Sequence, residues 1–190
     1  MAAIDAVDLV VLDAVEAYGL RGILEYMGLR VNWLPIGRPQ HLIEALGNQE
    51  SAAPHVIVCC HGDKRGIVLE KLGPEVTRDE PSTDRLTPDL ARRYVRLPGR
   101  VVIATGCDTG CTDMGQAFVE GGCDAYIAPD GYPGDALFFL HCLYHDLVRG
   151  ESLVMAFERA RDHDDNTRLF RLHSRAQAVG SRGCRRPETR

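Results

Sequence analysis

The chain has 190 residues, 45% of them hydrophobic, which is enough to bury a full core without metal or disulfide staples, and one domain is expected. No stretch reaches the roughly 18 apolar residues that a membrane span needs, and Met1 to Asp8 lacks the basic-then-apolar layout of a secretory signal, so the expectation is a soluble, cytoplasmic protein without a membrane partner. The net charge of −5 is unevenly placed: seven arginines against one glutamate between Arg168 and Arg190 make a local +6 and leave −11 for residues 1–167. Ser181, Gly183 and Pro187 break any regular pattern in that basic end, which reads as a solvated tail over 174–190 behind a domain at 1–173, and no nucleic-acid partner is expected.

In chain order, Val7 to Asp13 reads as a buried strand. Glu16 to Met27 places Leu20, Ile23, Leu24 and Met27 on one helical face, and Gly28 stops it. Leu29 to Ile36 is a second strand, Pro39 opens a helix through Leu46, and Val56 to Cys60 is a third strand. Gly66 to Leu69 reads as a short strand turning back, and the polar stretch from Gly73 to Thr87, with two prolines, as a mobile loop. A short helix from Pro88 to Tyr94 leads into a strand from Arg100 to Thr105. Thr112 to Glu120 is a helix closed by Gly121-Gly122, with Cys111 expected inside it, and Cys123 to Ala128 is a further strand. Two helices finish the domain, Gly134 to Val148 and Ser152 to about His173. This alternation predicts an α/β protein: a three-layer α/β/α sandwich around a mainly parallel sheet, of flavodoxin-like architecture.

Two of the strands end on reactive side chains. Val56-Ile57-Val58-Cys59-Cys60 runs into His61-Gly62, and Val101-Val102-Ile103-Ala104 runs through Thr105-Gly106 into Cys107. In an open parallel sheet the carboxyl ends of neighbouring strands converge on one crevice, which would bring His61 and Cys107 together. A thiol beside an imidazole is the minimal machinery for nucleophilic acyl transfer, because the thiolate is the nucleophile and the imidazole can take its proton. The turn after Cys107 precedes a helix amino terminus, a second influence expected to favour the thiolate. Gly62 lets a backbone N–H approach a substrate carbonyl without side-chain obstruction, so the Gly62 and Cys107 N–H groups are the oxyanion-hole candidates.

The same two segments carry a resemblance. An apolar strand followed by His-Gly, and Gly106-Cys107-Asp108-Thr109-Gly110, resemble the histidine and cysteine blocks of caspase-like cysteine peptidases of clan CD, most closely the CHAT family. Histidine comes first and cysteine 46 positions later, similar to the caspase spacing of about 50. Downstream, Gly121-Gly122-Cys123-Asp124-Ala125-Tyr126-Ile127-Ala128, and then Phe138-Phe139 through Leu147-Val148-Arg149-Gly150-Glu151-Ser152-Leu153 to Ala156, resemble the CHAT ending. The resemblance covers about Val56 to Arg161. It implies a caspase-like fold and a cysteine peptidase or related acyl-transfer hydrolase, with Cys107 as nucleophile, His61 as general acid and base, and a peptide or protein as substrate. Gly106 and Asp108 stand where the caspase pattern has alanine before the cysteine and glycine or arginine after it, so a preference for aspartate is not implied. Basic-specific members of the clan bind the substrate side chain with acidic groups, which makes Asp108 and Asp130 the substrate-binding candidates. Asp130 reads equally as a turn-capping residue.

Two other readings stay open: an inactive caspase-like interaction domain, and a flavodoxin-like module that binds a small molecule. The seven cysteines are an odd count with two adjacent in a core strand, and read as reduced thiols. A zinc site is not expected, since alternation along a strand sends Cys59 and Cys60 to opposite faces. No glycine-rich phosphate loop follows the first strand, where Ala14-Val15-Glu16 stands instead, so neither a dinucleotide nor any other cofactor is expected. His55, His141, His145, His163 and His173 read as surface or helix-packing residues, and the acidic Asp162 to Asp165 run as a solvated helix face or break.

Overall fold

The structure, a computed structural model, describes residues 4–47, 51–73 and 84–175. The chain starts with strand β1 (Ala6–Val11), helix α1 (Ala14–Tyr26), strand β2 (Arg30–Pro35), helix α2 (Pro39–Gly47) and strand β3 (His55–Cys59). A hairpin of β4 (Gly62–Asp63) and β5 (Gly66–Val68) follows, joined by β6 (Arg85–Leu86). Then come α3 (Pro88–Tyr94), β7 (Val101–Ala104), α4 (Thr112–Glu120), β8 (Ala125–Pro129), α5 (Leu137–Leu147), α6 (Leu153–Arg161), a 3-10 turn (Thr167–Leu169) and β9 (Phe170–Ser174).

The main sheet runs in the order β2-β1-β3-β7-β8-β9. Its first five strands are parallel and β9 is antiparallel to β8. Both faces are covered, as a parallel sheet requires. Strand residues alternate between two cores: Val7, Leu9, Ile57, Ile103 and Ile127 pack with α1, α5 and α6, whereas Val10, Val56, Val58, Val102 and Tyr126 pack with α2, α3 and α4. The expected layering and mainly parallel sheet are therefore present. Cys59 falls in the first core and Cys60 in the second, and the six described cysteines are free. No helix among the described residues is long and apolar enough to cross a membrane.

Local chemistry sets the element ends. Asp13 caps α1, its Oδ1 accepting from the Val15 and Glu16 N–H groups at 2.9 and 3.3 Å, and Gly28 takes φ +86°, a left-handed conformation that closes the helix at little cost. Thr87 and Ser152 cap α3 and α6 in the same way. Inside the molecule, Asp8 of β1 is buried with Arg100, Nη1 to Oδ2 at 3.2 Å, and also accepts from Asn32 at 2.7 Å. Removing either member of such a pair leaves an uncompensated buried charge, which costs about 3–5 kcal/mol.

The largest departure from the sequence reading lies at the carboxyl end. The last helix does not run to His173; it stops at Arg161, and a sixth strand follows. The Asp162–Asp165 run is a break. Asp164 and Thr167 bond reciprocally, Asp164 Oδ1 accepting from Thr167 N at 2.8 Å and Thr167 Oγ1 from Asp164 N at 3.0 Å, and that closed turn aims Phe170 back into the core. There it stacks on Phe139 with ring centroids 3.8 Å apart. Ser174, the first residue of the proposed tail, ends β9, and the rest of that tail from 176 onward lies outside the described residues. Most of the proposed loop also lies outside them, at 74–83. What is described of it forms β6 and the Thr87 cap, a strand the composition did not suggest. The helix expected from Gly134 begins at Leu137, because Gly134 has φ +71° and Asp135 Oδ1 accepts from Leu137 N at 2.7 Å.

Candidate active site

The sheet order makes β3 and β7 neighbours, in parallel register from His55↔Val101 to Val58↔Ala104. His61 and Cys107 follow the carboxyl ends of those two strands, so topology brings them to one edge. The turns that carry them interlock. A Cβ on Gly106 would lie 3.0 Å from Cys60 Sγ, Gly62 N and His61 C alike, and one on Gly62 would lie 2.5 Å from Thr109 Cγ2 and overlap the Cys107 carbonyl oxygen. Both glycines are required by this close approach of two backbones.

Gly62 has a second role in the hairpin. The Val68 N–H donates to the His61 carbonyl at 2.9 Å, which makes Gly62↔Ile67 a non-hydrogen-bonded pair of the antiparallel ladder. The Gly62 N–H therefore points away from β5, on the side of the Gly106–Cys107 turn. That turn is itself pinned. Thr109 Oγ1 donates to the Gly106 carbonyl at 2.6 Å, Gly110 N to the Pro129 carbonyl at 2.7 Å, and Asp108 N to the Gly131 carbonyl at 3.0 Å. Asp108 holds φ +57°, the one non-glycine residue in the left-handed region among those described.

Sequence reasoning missed Asp13 and Glu16, at the start of α1. Asp13 lies two residues past β1, the strand on the other side of β3, and its Oδ2 faces His61 Nε2 at 3.3 Å while Oδ1 caps the helix. Glu16 Oε2 accepts from Thr105 Oγ1 at 2.8 Å and from the Cys59 thiol at 3.1 Å, tying α1 to the ends of β3 and β7. Thr105 Oγ1 in turn accepts from Cys60 N at 3.1 Å. Asp13-Ala14-Val15-Glu16 has the spacing of a capping box, a signal that was available. What the spacing could not show is that Glu16 turns to the strand ends instead of back to its own cap.

The imidazole ring is exposed and the sulfur half-buried, and among the described residues no hydrogen bond joins them. Burial pushes the Cys107 thiol above the ordinary thiol range; its own N–H works the other way, and the carboxylates of Asp108 and Glu16 push it further up. The direction is opposite to the thiolate-favouring balance expected from an imidazole and a helix amino terminus. Cys111 is not inside α4 but at its N-cap, with φ −61° and ψ 153° and no side-chain cap bond.

The other candidates lie as follows. The loops of Asp108 and Asp130 touch through Asp108 N–H and Gly131 O, but the half-exposed Asp130 carboxylate is within 3.7 Å of Arg171 Nε on β9. His173 is on β9 instead of a helix. Its Nε2 lies 2.8 Å from the Gly110 carbonyl, and its ring occupies the space a Cβ on Gly115 would need, so it braces the Cys107 loop from behind. His55 is buried and packs on α5, with Nδ1 3.0 Å from the Tyr144 hydroxyl, and burial lowers its pKa to about 4. No group of three or more His, Cys, Asp or Glu among the described residues is arranged to hold a metal ion. No family model matches the chain, and no curated protein matches it.

Proposed function

We propose that the protein is a cytoplasmic, caspase-like cysteine peptidase or related acyl-transfer hydrolase, closest in kind to the CHAT family, in which Cys107 is the nucleophile and His61 the general acid and base. The observation that carries this reading is the interlock of the Gly62 and Gly106 backbones, which sets a histidine and a half-buried cysteine on touching turns of adjacent parallel strands. A peptide or protein is the substrate.

The chemistry runs in two steps. His61 takes the Cys107 thiol proton as sulfur attacks the scissile carbonyl carbon, and the resulting oxyanion is met by the Gly62 and Cys107 N–H groups. The C–N bond then breaks, His61 returns the proton to the leaving amine, and water, deprotonated by His61, hydrolyses the thioester to release the acid and restore the thiol. Asp13 opposite Nε2 supports the transient imidazolium and leaves Nδ1 to exchange protons. A thiol held protonated at rest suits a site that is activated only when substrate brings sulfur and imidazole together.

The second reading, a non-catalytic caspase-like interaction domain, is favoured by one feature: the ring faces Asp13 and the sulfur carries no hydrogen bond from it. Incubation with a peptidyl acyloxymethyl ketone series, followed by mass mapping, decides between them. Selective labelling of Cys107 among the seven cysteines, slowed in His61→Ala, is expected of the enzyme. Unselective labelling, or equal rates in wild type and His61→Ala, removes the dyad.

A further inference from the structure

Beside His61 lies a cavity of about 450 Å³, within the range of ordinary ligand sites. It is an open cleft at the carboxyl ends of β1, β2 and β3, with Val68 of the hairpin and the following Leu69 and Glu70 on one wall. Leu12, Ile36, Val68 and Leu69 supply its apolar lining. Among the described residues, the acidic Asp13 and Glu70 and the basic Arg38 also line it. His61 lines it and Cys107 does not. In the sheet order, His61 therefore stands between the nucleophile, on the β7 side, and this cavity, on the β1 and β2 side.

We infer that this cavity is the subsite for the residue on the leaving-group side of the scissile bond, and that it selects an aliphatic or aromatic side chain there. The inference rests on the reading of His61 and Cys107 as a dyad. Sulfur attacks the carbonyl from the β7 side, and the departing nitrogen has to lie within reach of His61 to receive its proton. The residue attached to that nitrogen then extends beyond His61, which is where the apolar lining begins. Cleavage turns the nitrogen into an ammonium group next to His61, at the edge of a cavity lined by both apolar and acidic residues, which favours a cationic amino terminus carrying an apolar side chain. Neither feature would hold a glycine side chain or an acidic one.

The test uses leucinamide as a mimic of the leaving fragment, titrated into the full chain carrying Cys107→Ser, with the methyl resonances of Leu12, Ile36, Val68 and Leu69 followed by NMR. Saturable shifts at these methyls are expected. Glycinamide should bind roughly tenfold more weakly or worse, because it buries no side chain. N-acetyl-leucinamide, which lacks the ammonium, should also bind more weakly. Ile36→Trp should fill the site and abolish the response; Glu70→Lys, an exposed change that leaves the packing alone, should weaken leucinamide several-fold. Leucinamide shifts absent from these methyls, or glycinamide binding equally well, overturn the inference even if Cys107 is selectively labelled. Selective leucinamide binding to a protein whose Cys107 proves unreactive keeps the subsite and removes the cleavage reading.

Discussion

Asp13 divides its carboxylate between two partners: Oδ1 closes the amino terminus of α1, and Oδ2 faces His61 Nε2 at 3.3 Å. The two roles separate by substitution. Asn keeps an oxygen for the cap but carries no charge, whereas Ala loses both. Asp13→Asn is expected to leave thermal stability within about 0.5 kcal/mol while slowing acylation of Cys107 by a peptidyl electrophile roughly tenfold. Asp13→Ala should show the same slowing plus about 1 kcal/mol of lost stability. Identical kinetics in wild type and Asp13→Asn would remove Asp13 from the mechanism.

Burial, Asp108 and Glu16 all hold the Cys107 thiol protonated. Removing one negative charge stabilises the thiolate, so Asp108→Asn should speed iodoacetamide alkylation of Cys107 at pH 7.5 by roughly two- to tenfold. Asparagine tolerates φ +57°, so this variant stays folded. Asp108→Ala should speed alkylation similarly but lose about 1 kcal/mol to backbone strain, which a urea titration will resolve.

The glycine interlock predicts a contrast between two glycine-to-alanine changes. Gly62→Ala places a methyl group against the Cys107 carbonyl and Thr109, and should destabilise by about 2–4 kcal/mol and slow labelling of Cys107 as the turns part. Gly22→Ala meets nothing within 4 Å in the exposed middle of α1, and should stabilise by about 0.5–1 kcal/mol. Equal effects of the two would mean that the turns are not in contact.

His55 makes stability depend on pH. Its pKa falls from 6.5 to about 4 on folding, so the unfolded chain binds the proton first as pH drops. The contribution is fully present above about pH 6.5 and is lost as pH falls through 4, by up to about 3 kcal/mol. Denaturant midpoints measured from pH 7 to 4 should show this slope, and His55→Gln, which can still bond the Tyr144 hydroxyl, should reduce it.

At the amino terminus of α4, Cys111 occupies an N-cap position without a cap bond. Serine there can accept from the free N–H groups of the first turn, so Cys111→Ser is expected to raise stability by about 0.5–1 kcal/mol. An unchanged melting temperature would show that the buried side of the thiol contributes as much by packing.

Much of the architecture was legible because it follows from local rules. Apolar runs flanked by helical periodicity marked the five parallel strands, Asp13, Thr87 and Ser152 stand at helix starts, and Gly28 stands at a helix stop. The strands that were missed, β4, β6 and β9, are short and held by pairing with other strands. Phe170-Arg171-Leu172-His173-Ser174 alternates apolar and polar residues, yet only β8 as a partner makes it a strand. The helix period read from Ser152 onward continued across Asp162–Asp165, where the Asp164–Thr167 bonds end it.

The sequence by itself determined that a histidine and a cysteine follow two buried strands, each beside a glycine, because an apolar run and a glycine turn depend on neighbours along the chain. Only the tertiary structure decided which backbones touch, that Asp13 faces the imidazole, that Glu16 reaches Thr105 and Cys59, and that the Cys107 thiol is held protonated. Those contacts join residues dozens of positions apart. They exist because β1, β3 and β7 lie side by side in the sheet, an order that no local pattern encodes.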